Sequence, residues 1–314
     1  MGGSFSLSCV SVLGVAFVVS LGLTPLMGRL AWAVGALDKP EGRKVHKEPV
    51  PRWGGLAILA AFLASLAFAG GLKGKAIPVA LSGALMALVG AVDDKVGLRA
   101  GAKLLAQLAA AFLLVALGVR VGFMRNPFGE GLIYLGLWGV LFTVLWCVAI
   151  TNTINLIDGL DGLAAGISAL VAGTMLALSA LHGRAESALM SAAVLGACLG
   201  FLPHNFHPAK IFMGDSGSQF LGMTLASVAI VGALKSATVI ALVAPAVALG
   251  VPILDTTLAV LRRALTGRPI MMPDRGHIHH RLLDMGLSHR GAVLLLYAIS
   301  GVLCLLAFLI GRPG

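Results

Sequence analysis

Ten runs of roughly 16 to 25 mainly apolar residues constrain this chain more than any other feature, because a helix needs about 20 such residues to cross a bilayer. They centre near Val18, Leu63, Leu85, Ala111, Leu141, Val171, Leu195, Leu225, Ala246 and Val302. Hydrocarbon offers backbone N–H and C=O groups no water, so a spanning segment must satisfy them internally as a helix or across a closed barrel. Barrel strands alternate polar and apolar residues; these runs are continuous and rich in Leu, Ala and Val, which argues for helices. With 58% hydrophobic and 11% charged residues among 314, the chain carries more apolar surface than one soluble core would bury. The expected fold is all-α, a polytopic integral membrane protein of about ten transmembrane helices forming a single domain over residues 1–314.

With the N-terminus outside, the inner joints fall at about 31–52, 93–103, 151–162, 203–217 and 262–290. The outer joints fall at about 70–76, 118–131, 182–186 and 233–237. Most of the 23 Lys and Arg residues then lie inside, as the positive-inside rule requires. That rule does not concern acids, yet of the 13 carboxylates only Glu130 and Glu186 fall outside, and every histidine but His182 is also inner. Ionisable groups near membrane depth mark functional sites, so the active site is expected on the cytoplasmic face. The first run has no Lys or Arg ahead of it and no small-residue cleavage site, and reads as a retained helix. Cys9, Cys147, Cys198 and Cys304 are scattered through apolar runs, which argues for neither disulfides nor a zinc site. The net charge of +10 suits anionic lipid headgroups at outlying positions and an anionic substrate at the inner joints. Without a soluble basic domain, nucleic acid is excluded as a partner.

Four constellations could carry chemistry. Asp93 and Asp94 close the third helix at its negative pole, where two carboxylates call for a cation, with Lys95 the simplest partner. Lys103 has the reverse mismatch, a cation at the positive start of the fourth helix, which an anionic ligand would relieve. The stretch from Thr151 to Gly162 holds Asn152, Asn155, Asp158 and Asp161; if helical, Asn155, Asp158 and Asp161 form one stripe of oxygen ligands suited to Mg²⁺. Ordinary N-capping of the next helix would account for one of these carboxylates. Phe212 to Gln219 opens the eighth helix around Gly214 and Asp215, where a cap and a phosphate site are both open readings.

The last inner joint gathers Arg262, Arg263, Arg268, Arg275, His277, His279, His280, Arg281 and His289. A three-histidine zinc site competes with phosphate binding there; arginines crowding the histidines would repel a metal and welcome phosphate. Asp255, inside the ninth helix, can pair with Arg262 or Arg263.

Taken in order, Asp38-Lys39-Pro40, Arg43-Lys44-Val45-His46, Asp93-Asp94, the Asn155 to Asp161 stretch, Gly214-Asp215-Ser216-Gly217-Ser218 and His277-Ile278-His279-His280 resemble the polyprenyl-phosphate N-acetylhexosamine 1-phosphate transferase family. The likeness runs over nearly the whole chain. The joint from Arg43 to Gly55 and the His-Ile-His-His run are similar to the branch that uses UDP-GlcNAc. The branch using UDP-MurNAc-pentapeptide would show three consecutive histidines followed by an aromatic and a glutamate; here Arg281-Leu282 follow His279-His280.

The resemblance implies transfer of a sugar 1-phosphate from a UDP-sugar to a membrane polyprenyl phosphate, with release of UMP, at a bacterial plasma membrane. It implies Mg²⁺, with Mn²⁺ as an acceptable substitute, held by Asn155 and Asp215. Asp93, Asp94 and Asp158 are the implied catalytic carboxylates, and Lys103, Asn152, Asp161, Arg275, His277, His279 and His280 the implied substrate contacts. A homodimer is compatible with the family. A secondary transporter for an anionic solute is the competing class; it would place its site near the midplane and show internal repeats.

Overall fold

A computed structural model describes residues 2–39, 48–126, 129, 131–233, 240–265 and 278–312. The chain opens with helix α1 (Gly2–Val34) and a two-strand clip, β1 (Leu37–Asp38) against β2 (Val50–Pro51). Helices α2 (Gly54–Phe68), α3 (Ala76–Val96) and α4 (Ala100–Ala116) follow, then an antiparallel hairpin of β3 (Phe123–Arg125) and β4 (Leu132–Tyr134). The remainder is helical: α5 (Gly136–Ile157), α6 (Leu163–Leu181), α7 (Ala185–Asn205), α8 (Gly214–Ala233), α9 (Ile240–Ala248), α10 (Gly250–Leu265), α11 (Ile278–Asp284) and α12 (His289–Gly311).

The protein is an all-α, multi-pass membrane protein. Among the described residues seven helices, α1, α3, α5, α6, α7, α8 and α12, are long and apolar enough to cross a bilayer. The expected spans around Leu63 and Ala111 are the shorter apolar helices α2 and α4. The run around Ala246 is divided between α9 and α10. Pro252 has no N–H to return to the carbonyl of Ala248, so the helical ladder loses a bond where the two meet.

Helix α8 is the axis of the bundle: 94% of its spanning window is buried, against 28% for α1 and for α12. It packs on α3, α5, α2 and α7, while α1 packs on α2 and α7, and α12 on α6 and α9. In lipid there is no hydrophobic drive between helices, so close backbone approach through small residues supplies the attraction. A Cβ on Gly55 would run into the backbone of Gly217, one on Gly90 into the Asp215 carbonyl, and one at Gly222 would stand 2.5 Å from Thr151 Cα. Three helices are thereby drawn against the first turns of α8. Around them the joint before α2 and the joint before α8 are zipped together by main-chain bonds from Phe212 N to Pro51 O (2.8 Å), Gly54 N to Phe212 O (3.0 Å) and Gly55 N to Met213 O (2.9 Å).

The expectation of a helical stripe through Asn155, Asp158 and Asp161 is corrected. Helix α5 ends at Ile157, Asp158 is its C-cap with ψ 49°, and α6 begins after Gly162, a left-handed residue at φ 82°. Two glycines within four residues make continued helix costly, and the one at position 162 takes a backbone conformation that L side chains rarely adopt. Neither Asp158 nor Asp161 caps α6, whose N-cap is Gly162 with no side-chain bond.

Gly55→Val is expected to abolish or severely reduce the yield of monodisperse protein in detergent, because overpacking this contact forces backbone displacement costing about 1–3 kcal/mol or more. Fluorescence-detected size exclusion measures it, with Gly101→Ala as control, since a Cβ at Gly101 meets nothing within 4 Å.

Candidate active site at the clustered ends of α3, α4, α5 and α8

The site is built from helix ends. Asp93 and Asp94 lie in the last turn of α3, Lys103 in the first turn of α4, Asn155 in the last turn of α5 and Asp215 in the first turn of α8. Successive residues on an α-helix point about 100° apart, so the two adjacent aspartates face different neighbours. Asp94 turns to α8: its Oδ1 accepts the Asp215 N–H at 2.8 Å and its Oδ2 accepts the Ser216 N–H at 3.1 Å. Asp93 turns to α4, where it pairs with the Lys103 ammonium and accepts the N–H of Leu98. Both aspartates are buried.

Lys103 Nζ also pairs with Asp215 Oδ2, so one ammonium bridges carboxylates from α3 and α8. Asn155 completes the cluster by donating from Nδ2 to Asp215 Oδ1 (3.1 Å) and to Ser218 Oγ (2.8 Å). Asn152, one turn earlier, exchanges bonds with Gln107 of α4: Nδ2 to Gln107 Oε1 at 2.7 Å and Gln107 Nε2 to Asn152 Oδ1 at 3.3 Å. That pair sets the spacing of α4 and α5.

The donor set fits a hard divalent ion. Asp93, Asp215 and Asn155 offer oxygen only, which suits Mg²⁺ or Mn²⁺. The protein's own ammonium already stands between the two carboxylates, so the place attracts positive charge.

Beside the cluster, the loop from Asp158 to Gly162 is held by α7 and α12. Asp161 Oδ2 pairs with His207 Nδ1 at 2.7 Å and accepts the Ala209 N–H at 3.1 Å, while the Asp161 N–H donates to His289 Nε2 at 2.9 Å. The two imidazoles stack at 4.1 Å. Ligand atoms of Asp161, His207 and His289 lie within 4.8 Å of one another, a spacing open to a metal ion. Here His289 Nε2 and Asp161 Oδ2 are already spent on main-chain N–H groups, so the arrangement serves as a hydrogen-bonded latch. Asn205 Oδ1 accepts the Gly162 N–H (3.0 Å), Tyr297 donates its hydroxyl to Gly162 O (2.5 Å), and Arg290 Nε donates to His207 O (3.0 Å).

Burial, reinforced by the negative charges of Asp215 and Asp94 and opposed by Arg52, pushes the Asp158 carboxyl from 3.8 up to about 8.

Of the residues singled out by sequence, Asp93, Asp94, Lys103, Asn155 and Asp215 meet in one cluster, and Asp158 lies within its electrostatic reach. Asn152 and Asp161 are engaged beside it, with Gln107 and His207. Arg275 and His277 lie outside the described residues, as do Arg43, Lys44 and His46. His279 and His280 fall in α11, with their side chains outside the described set. Asp255 Oδ1 accepts the Ile278 N–H at 2.8 Å, tying α10 to the start of α11. Sequence reading missed Gln107, Asn205, His207 and Tyr297. Gln107, a lone amide one turn beyond Lys103 in an otherwise apolar helix, was the one with a local signal.

The profile of glycosyl transferase family 4 matches residues 76–233, the stretch from α3 through α8 that holds the whole cluster. A probable undecaprenyl-phosphate N-acetylglucosaminyl 1-phosphate transferase of Bacillus subtilis (strain 168) is 44% identical over 301 residues, covering 94% of this chain and 84% of that protein. A decaprenyl-phosphate N-acetylglucosaminephosphotransferase of Mycolicibacterium smegmatis is 41% identical over 305 residues, covering 87% and 75%. A phospho-N-acetylmuramoyl-pentapeptide-transferase of Lactiplantibacillus plantarum is more distant, at 35% over 233 residues, covering 68% and 72%.

A carboxyl whose folded pKa is raised binds its proton more tightly in the folded chain than in the unfolded one, so ionisation lowers stability progressively from about pH 4 to about pH 8. In metal-free detergent solution, Asp158→Asn is expected to leave the melting temperature near that of wild type at pH 4 to 5 and to exceed it increasingly up to pH 8. A difference that does not change with pH would remove the assigned shift.

Proposed function

This chain belongs to glycosyl transferase family 4, and on that premise we propose that it transfers GlcNAc 1-phosphate from UDP-GlcNAc to undecaprenyl phosphate or a related polyprenyl phosphate, releasing UMP. The single observation that carries the reading to this site is the meeting of Asp93, Lys103, Asn155 and Asp215 from four helix ends, within a chain 44% identical to a GlcNAc 1-phosphate transferase. The UDP-MurNAc-pentapeptide reading is disfavoured by the lower identity to that branch and by the His-Ile-His-His run. A transporter would need its polar site near mid-membrane, whereas these groups sit at helix termini.

In the proposed reaction an oxygen of the acceptor phosphate forms a bond to the sugar-bearing phosphorus of UDP-GlcNAc. The bond from that phosphorus to the bridging oxygen breaks, and UMP leaves with the electron pair. A phosphomonoester's second pKa is about 6, so the acceptor is mostly dianionic at neutral pH and needs no strong base. Asp93 is the group proposed to take a residual proton. The difficulty is bringing two anions together, and preorganised positive charge is the remedy. Mg²⁺, when bound, supplies Lewis-acid charge neutralisation on the diphosphate, with Asp215 and Asn155 as its proposed holders.

Lys103 adds a fixed positive charge at the same place. The Gln107–Asn152 pair holds α4 and α5 in register, and the Asp161–His207 latch orients the loop that carries Asp158. Arg275, His277, His279 and His280 are proposed to grip substrate phosphates from the last inner joint, as guanidinium groups do elsewhere. The proposed setting is a bacterial plasma membrane with the site on the cytoplasmic side, within a single domain spanning residues 1–314.

Purified protein given labelled UDP-GlcNAc, undecaprenyl phosphate and Mg²⁺ in detergent is expected to yield labelled lipid and equimolar UMP, and to lose both on chelation. Asp215→Ala should remain membrane-inserted while turnover falls by at least about 10²-fold, the scale of losing a preorganised charge-stabilising group. Near-normal turnover by that variant would contradict its role as a cation holder.

A further inference from the structure

We infer that Asp94 is a positioning residue: its carboxylate fixes the first turn of α8 so that Asp215 faces Lys103 and Asn155, and it does not itself touch the reacting groups. The inference rests on the reading above, in which Asp215 holds the cation.

The geometry divides the two adjacent carboxylates. Both Asp94 oxygens are engaged by main-chain donors, Asp215 N–H at 2.8 Å and Ser216 N–H at 3.1 Å. Residues at the start of a helix have N–H groups that the helix cannot satisfy, and side-chain oxygens ordinarily come from the residue just ahead of it. Here that residue is Met213, which has no side-chain oxygen to offer. Gly214 opens α8 at φ 70°, and a Cβ on it would stand 2.5 Å from Asp94 Oδ2 and 2.6 Å from Oδ1. The local chain gives up its own cap to make room for one delivered by α3.

The contact face of α3 serves the same end. Gly83 and Gly90 lie on the side of α3 that meets α8, with Gly83 against Phe220 and Thr224 and Gly90 against the main chain of Asp215 and Ser216. Asp94 stands one turn beyond Gly90 on that side, only 5% exposed. The carboxylate also meets the positive end of the α8 dipole. Asp93, by contrast, presents its carboxylate to the Lys103 ammonium, within the cluster itself.

A positioning role and a chemical role differ in which measurement responds. Mn²⁺ binding followed by electron paramagnetic resonance, without either substrate, reads the cation site directly. Asp94→Asn keeps one acceptor oxygen and Asp94→Ala keeps none. Affinity for Mn²⁺ should fall about 10- to 100-fold in Asp94→Ala, the usual cost of losing a group that orients a ligand, and less in Asp94→Asn. Turnover of Asp94→Asn should be largely recovered at saturating metal, with an unchanged pH profile. Unaltered Mn²⁺ affinity in Asp94→Asn together with collapsed turnover at saturating metal would overturn the inference.

If both variants fail to fold, the wild-type protein still decides. Amides in the first turn of a helix ordinarily exchange fast, so strong hydrogen-exchange protection at Asp215 and Ser216 is expected, and rapid exchange there would refute the cap. The binding and exchange measurements use no UDP-sugar, so failure of the wild-type protein to transfer GlcNAc would count against the proposed reaction and leave the positioning result standing.

Discussion

A buried carboxylate from one helix closing the open end of another is the contact on which the rest of the site depends. Asp94 receives the first two N–H groups that α8 presents beyond Gly214, and in doing so fixes where Asp215 stands. The contact exists because Gly55, Gly90 and Gly222 allow α2, α3 and α5 to press against α8 at main-chain distance. Bulkier residues at those points would hold the helices farther apart, and the carboxylate would no longer reach. A buried N–H left without an acceptor costs about 1–3 kcal/mol, so the cap both stabilises the helix end and aims the functional group.

Charge balance follows from that arrangement. Three carboxylates, Asp93, Asp94 and Asp215, gather around one ammonium, Lys103, and the amide of Asn155. Asp94 is answered by helix N–H groups, which leaves Asp93 and Asp215 to share Lys103. A site so composed has room for more positive charge, and a divalent ion between oxygen donors is the simplest way to supply it. Burial, with the same surplus of negative charge added to it, raises the Asp158 carboxyl well above the usual carboxylate range. A reaction that joins two phosphate-bearing substrates needs such cation density without a strong base.

The surrounding elements convert helix ends into a fixed constellation. The clip of β1 and β2 and the main-chain bonds between Pro51 to Gly55 and Phe212 to Met213 close one side. His207, Asn205 and Tyr297 close the other by holding the loop between α5 and α6 through Asp161 and Gly162. None of these groups is conspicuous in sequence, because each is a single polar residue in a joint or an apolar helix. Their importance comes from partners far along the chain.

By itself the sequence determined the solvent, the predominance of helix and the polar joints in which the chemistry-bearing residues lie. Long apolar runs in lipid have only helices to form, and ionisable residues collected at alternate joints share one face. It also brought forward Asp93, Asp94, Lys103 and Asp215, whose charges sit at the wrong poles of helices or in glycine-flanked turns, and Asn155, an oxygen donor in a polar joint. Tertiary structure alone decided that Asp93 and Asp94 face different partners, that Asp158 and Asp161 leave the helix, and that Lys103 bridges two carboxylates 112 residues and ten residues away in sequence. Local patterns encode which helix a residue belongs to and how far around it the residue points. Which neighbour lies in that direction depends on how closely small residues let the helices approach, and that is a property of the packed bundle.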